Sequence, residues 1–245
     1  MLNLFRDDRG IMKYKTLIKK LKLKDEDFKA IKSAVAEAEA KTTGEIAVAV
    51  APESARYCFW ELLAADGVGM LVLLCMIPFS QKILELYRKL YWQNEPSWIL
   101  PVFFIVSCLA AVLIAFYIAN IPVIDRLVIP RSVRKTCVTN RAFRYFTESG
   151  VYDTAEHSGI LIFVSYMERQ VRIVADSGIS KHISQDLWNL IADELAENLR
   201  KGEAAKAFTT AIEKCGELLA ENFPPHEENP NELPDGLVIL EDAEW

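Results

Sequence analysis

Some things are missing from this chain of 245 residues, and each absence removes a class of function. The five cysteines, an odd number at 58, 75, 108, 137 and 215, form no C-x-x-C pair, which argues against both a disulfide framework and a zinc site and favours reduced thiols in a cytosolic setting. There is no Gly-x-Ser-x-Gly elbow, no Walker phosphate loop and no His-Glu-x-x-His helix, so the common nucleophile, nucleotide and zinc-hydrolase signatures drop out. A surplus of basic charge is absent too: the net charge of -6 excludes a general nucleic-acid binder. The first residues contain no unbroken apolar core with a small-residue cleavage site, so no secretory signal is expected. Finally, no Lys or Arg occurs from Glu221 to Trp245, and no charged residue from Trp98 to Asn120.

That last gap is also a presence. "WILPVFFIVSCLAAVLIAFYIAN" is close to the roughly 20 apolar residues that cross a bilayer as a helix. An earlier run, "FWELLAADGVGMLVLLCMIPFS", is interrupted by Glu61 and Asp66 and reads either as a first span or as a buried helix. Trp60, Tyr91, Trp92 and Trp98 stand at the ends of these runs, where aromatic rings favour the headgroup zone. The spans are placed at about 60–79 and 98–119, within a hairpin over 59–120 whose loop, from Gln81 to Ser97, holds Lys82, Arg88 and Lys89. Arg126, Arg131, Arg134, Lys135, Arg141 and Arg144 follow the second span, so the positive-inside rule puts both termini in the cytoplasm, with a bacterial inner membrane as the expected location.

The remaining 51% hydrophobic, 25% charged composition suits a packed domain. After an N-terminal segment (1–24), "DEDFKAIKSAVAEAEAKTTG" reads as a helix capped by Asp25 and ended by Gly44, with Phe28, Ile31, Val35 and Ala38 on one face. "EIAVAVA" is a strand from Glu45 to Ala51. Val133, Cys137, Val138, Ala142 and Phe146 recur at helical spacing before Gly150. "GILIFVS", "YMERQ" and "VRIVA" give a strand, a bend and an antiparallel return. Two amphipathic helices follow, one capped by Ser184 with Leu187, Leu190, Ile191, Leu195 and Leu199 inward, the other burying Phe208, Ala211, Ile212, Cys215, Leu218 and Leu219. Residues 225–245 read as an acidic, mobile tail that solubilises the chain or meets a basic partner. The fold class is α/β: a small α/β/α sandwich with a mixed sheet, in two parts (25–54 and 131–224) interrupted by a two-helix transmembrane hairpin. If Glu45–Ala51 pairs with Ile160–Ser165, both lie on one side of the bilayer and the spans between them are even in number.

"TTGEIAVAV", "GVYDTAEHSGILIFVSYMERQVRIVADSGI" and "WNLIADELAENLRKGEAAKAFTTAIEKCGELLAENFP" resemble the TPM domain family, named for thylakoid, photosystem and nematode receptor-modulator members. The resemblance covers about Asp25 to Ser54 and Val133 to Pro224; the absent secretory signal and the interrupting hairpin set this chain apart from lumenal members. It implies an α/β/α fold, divalent-metal and especially calcium binding, acid phosphatase activity in some members, and roles in assembling or repairing membrane complexes.

Strand geometry brings Thr43–Glu45, the loop Asp153–Ser158 and Asp176–Gly178 to one sheet edge. Two readings of that edge stay open. In one, Glu45, Asp153, Asp176 and Glu156 give oxygen ligands to calcium or magnesium. In the other, Asp176 caps its own turn and Asp153 and Thr154 fix the loop before the strand. His157 beside Glu156 reads as a general acid/base or as a surface pair, and no catalytic nucleophile is assigned. Arg131, Arg134, Lys135 and Arg141 are candidate contacts to an anionic membrane surface. The expected function is a membrane-anchored module that binds and supports membrane protein complexes, with a divalent-metal-dependent phosphatase as the alternative. The expected partners are the lipid bilayer and other membrane proteins, not nucleic acid.

Overall fold

The computed structural model describes residues 15–91, 96–119, 121–154, 157–225 and 232–240. In chain order the elements are α1 (residues 15–21), α2 (Asp25–Glu39), β1 (Glu45–Ala51), α3 (Cys58–Met76), α4 (Ser80–Tyr91), α5 (Ile99–Ala119), α6 (Pro122–Val128) and α7 (Arg131–Glu148). Then come β2 (Gly159–Ser165), β3 (Gln170–Ala175), α8 (Ser177–Ser180), α9 (Gln185–Lys201), α10 (Ala204–Asn222) and β4 (Leu237–Ile239), with 3-10 turns at Ile77–Phe79 and Val151–Asp153. They form two units, one from the chain up to Arg56 together with the chain from Ser132, the other Tyr57–Arg131.

The first unit is built on a mixed four-stranded sheet of order β3-β2-β1-β4. β1 and β2 run parallel from Glu45↔Gly159 to Ala51↔Ser165, and β3 returns antiparallel to β2, as the sequence suggests. β1 alternates two sizes of side chain, which gives the sheet two different faces. Ile46, Val48 and Val50 join Ile160, Ile162 and Val164 beneath α1, α2, α9 and α10. Ala47, Ala49 and Ala51 face the other way, where Phe163 and Leu161 pack with Val138, Ala142 and Phe146 of α7. Helices on both faces complete the α/β/α sandwich.

Several sequence expectations shift. α1 contributes buried Leu17 and Leu21 to the core, so it belongs to the domain rather than to a separate leading segment. α2 stops at Glu39, with Lys24 rather than Asp25 at its N-cap. It ends short of Gly44 because the Thr42 hydroxyl accepts from the Gly44 amide and donates to the Phe223 carbonyl, offering the backbone a non-helical alternative. On α9 the inward stripe is Trp188, Ile191, Ala192 and Leu195, while Leu187 and Leu190 are exposed. The tail is not uniformly free: Leu237–Ile239 form β4, parallel to β1 with Val48↔Leu237 and Val50↔Ile239.

At the end of the sheet where the chain leaves β1, the departing segment is clamped. Tyr166 N–H donates to the Ala51 carbonyl at 3.0 Å and Met167 N–H to that of Pro52 at 2.9 Å. Below them, buried Glu168 accepts from the Ser54 amide at 2.8 Å and the Ser165 hydroxyl at 2.5 Å, and the two serine hydroxyls bond each other at 2.7 Å. This network ties the start of the insertion to the β2–β3 turn.

The second unit is a pair of packed apolar helices with short extensions. Cys58–Leu90 and Ile99–Ala119 are long and apolar enough to cross a membrane. Leu62, Leu63, Met70 and Leu71 on α3, and Ile105, Val106, Leu113 and Ile114 on α5, are exposed large hydrophobics. Gly69 sets the approach of α3 to α5, since a Cβ there would lie 2.4 Å from Val112 Cγ2. The expected loop after Phe79 is instead the helix α4. Pro78 tightens the chain into a 3-10 turn, but the good helix formers from Ser80 to Tyr91 resume at once. Trp92, expected in an aromatic belt, lies outside the described residues.

Candidate functional site

The sheet edge singled out by the sequence forms as expected in its backbone. Asp176 N–H donates to the Gly159 carbonyl at 2.9 Å, Glu45 N–H to that of Ser158 at 3.2 Å, and the Ser158 hydroxyl to that of Thr43 at 2.9 Å. Gly159 sits between the two acids, and an added Cβ there would lie 2.0 Å from the Val151 carbonyl oxygen, so the backbone of the 3-10 turn rests directly on the strand.

The side chains are largely occupied by the fold. Asp176 is the N-cap of α8, its Oδ1 accepting from Ser177 N–H. Its buried Oδ2 makes no hydrogen bond but lies 3.3 Å from His157 Nδ1. His157, with φ 51, is exposed, and Nδ1 also lies 3.3 Å from the Tyr152 carbonyl. Thr154 Oγ1 accepts from the Ser158 amide at 3.0 Å, fixing the turn as one of the two readings proposes. Asp153 is exposed on the 3-10 turn, and Glu156 lies outside the described residues.

Glu45 is 3% exposed and its Oε2 accepts from Leu233 N–H at 3.3 Å. Burial raises its pKa, opposed by hydrogen bonds from the Leu233 and Glu232 backbones and reinforced by the Glu232 and Asp235 carboxylates. Next to it is an acid the sequence reading passed over. Glu39 Oε1 accepts from Ile46 N–H at 2.8 Å, and burial pushes its pKa up to about 8, with Glu45 and Asp235 adding to the rise. The signal was present: Ile31, Val35 and Glu39 are spaced i, i+4, i+8, which puts an acid on the apolar stripe of α2.

Among the described residues, this edge does not assemble the ligand set of a calcium or magnesium ion. Calcium takes about six to eight oxygens. Here Glu45 is engaged by backbone donors, Asp153 is exposed, and Asp176 Oδ2 faces His157. Among the described residues, no group of three or more His, Cys, Asp or Glu is disposed to hold a metal. Of the candidate membrane-facing cations, Arg131 and Lys135 are exposed and Arg141 is half-buried. Arg134 is buried, one turn before Val138 on the same stripe of α7, which corrects its place among residues facing a membrane.

The architecture around this edge has known counterparts. Residues 126–218 match the family model of the TPM domain. The match takes in α7, β2, β3, α8 and α9 and most of α10, whereas β1 and α2 precede it and are joined to it through the sheet. Among solved structures, the NMR structure of the BA42 protein from the psychrophilic bacterium Bizionia argentinensis superposes with a TM-score of 0.51 at 19% identity, covering 89% of this chain and 94% of that one. No curated protein matches the sequence.

Proposed function

We propose that this protein is a membrane-anchored TPM module that binds membrane protein complexes and supports their assembly. The observation that carries this reading is the unbroken register of β1 on β2 across an insertion made of two exposed apolar helices. A sheet whose neighbouring strands lie before and after a lipid-embedded detour needs an even number of crossings, which supports a two-span hairpin and a domain held on one side of the bilayer. Arg126, Arg131, Arg134, Lys135, Arg141 and Arg144 after the second span outnumber Lys82, Arg88 and Lys89 of the connection, so that side is cytoplasmic, in the inner membrane of a bacterium. The polar rim of the domain is then available to protein partners while α3 and α5 hold it at the membrane.

The test is purification of the full chain from native membranes in mild detergent, followed by gel filtration and an aryl-phosphate assay with calcium or magnesium. Migration in a defined complex with membrane proteins, and no phosphate release, is the expected result. Phosphate release that disappears in Asp176→Ala would replace the module with a hydrolase. Recovery of the chain in the salt-washed soluble fraction would remove the anchor.

A further inference from the structure

A second site lies at the opposite end of the sheet from the acids. A cavity of about 250 Å3 opens where the end of β2, the start of β3, the end of α1 and the α9–α10 turn meet. Its apolar lining includes Leu21, Val164, Val171, Ala196, Leu199 and Ala204. Four cations, Lys20, Lys22, Arg169 and Arg200, surround this floor, and all four are exposed. No acid is among the described residues that line it. The nearest acids along α9 and α10 are turned to other partners, Glu197 to Lys201 at 3.3 Å and Glu203 to Lys206 at 4.0 Å.

The backbone sets these cations at a conformational cost. Lys22 (φ 56) and Arg169 (φ 52) are two of the three non-glycine residues with positive φ among the described residues. The left-handed region is costly for an ordinary residue, and glycine would occupy either position without strain. Such strain gathers where a side chain must be held in place for a ligand. Gly202 leaves room beside it: Lys22 Nζ lies 3.9 Å from where a Cβ on Gly202 would stand. Lys20 Nζ is 5.6 Å from the centre of the Tyr166 ring, a polar and aromatic wall to the same cavity.

We infer that this cavity binds an amphiphilic anion: an oxyanion head held by Arg169, Arg200, Lys20 and Lys22, with an apolar group on the Leu21, Val164 and Leu199 floor. The guanidinium forks suit an oxyanion better than a point charge would, and unpaired cations around an apolar concavity give little to a ligand lacking either half. The volume admits a ring or a short alkyl segment. Such a head occurs on soluble organic phosphates and on anionic lipids alike. The inference is independent of the acid edge and of the assembly role proposed above.

The full chain in neutral-detergent micelles is titrated by calorimetry with phenyl phosphate, dodecyl phosphate and inorganic phosphate. Phenyl or dodecyl phosphate is expected to bind at least tenfold more tightly than inorganic phosphate, more weakly as salt is raised. That binding is expected to fall at least tenfold in Arg169→Gln/Arg200→Gln, which removes charge, and in Ala196→Leu, which fills the cavity. Both arginines are exposed, so the pair serves if the leucine variant misfolds. Binding of phenyl phosphate points to a soluble ligand and binding of dodecyl phosphate alone to a lipid; either supports the site. No binding of either, affinity equal to that of inorganic phosphate, or wild-type affinity in the arginine pair would overturn it.

Discussion

The two ends of the sheet differ in the charged side chains they leave exposed. At the end that begins β1, Glu39, Glu45 and Asp176 are buried, and each accepts a hydrogen bond from the backbone, through Ile46, Leu233 and Ser177. At the other end Lys22, Arg169 and Arg200 are exposed, have no carboxylate partner among the described residues, and line a cavity. Charge absorbed by backbone donors is spent on holding the fold, whereas charge held without a partner around a concavity is free for a ligand. Glu45 and Asp176 catch the eye in the sequence because they stand beside turn residues, but the cations are the ones left over.

At the end where the chain leaves β1, one buried acid, Glu168, belongs to the fold rather than to the cation-lined cavity. Glu168→Ala is expected to destabilise the protein by about 3 kcal/mol in denaturant melts, because it leaves the Ser54 amide without an acceptor in the interior and removes the carboxylate that the Ser165 hydroxyl donates to. An effect under about 1 kcal/mol would show that the clamp on the departing chain is not structural.

At the acid end the largest effect depends on pH. Glu39 holds its proton more tightly folded than unfolded, so the native state binds more protons between about pH 4.5 and about 8, and stability falls as pH rises through that window. After allowance for solvent screening the loss is about 2 kcal/mol. In Glu39→Gln that slope should flatten and the variant should exceed the wild type above pH 8; an unchanged slope would place the titration elsewhere.

Smaller changes separate a cap from a strained cation. Asp176→Ala should cost about 1 kcal/mol through loss of the α8 cap. Calcium added to the wild type should give no heat that depends on this residue. Arg169→Gly should stabilise by about 1 kcal/mol through relief of its left-handed backbone, while weakening binding of phenyl phosphate. Lys214→Ala, which removes an exposed ion pair with Glu194, should change stability by under about 0.5 kcal/mol and serves as the baseline.

Strands and the insertion were legible in the sequence because their signals are local: the short apolar run of β1, the hairpin of β2 and β3, and the charge-free run of α5. β4 was not, because three apolar residues after a Pro-Asp-Gly turn become a strand only when β1 offers an edge. Leu190 looked like core because its spacing fits a helical stripe, but Trp188 sets the buried face of α9 one step round. The acid edge was visible as a cluster and its chemistry was not, since only the fold shows that backbone amides satisfy it. The basic cavity could not be read at all: its cations come from three segments separated by more than a hundred residues of chain or brought together only by the sheet.

The proposed membrane anchor requires β1 and β2 to share a sheet on one side of the bilayer. In a cysteine-free background carrying a protease site between the two apolar helices, Val48→Cys is paired with Ile162→Cys, its register partner, or with Phe163→Cys, on the opposite face. After oxidation in membranes and cleavage, the halves should stay joined in a non-reducing gel for the first pair and separate for the second. Separation for both pairs would contradict the shared sheet, and with it the membrane-interrupted domain.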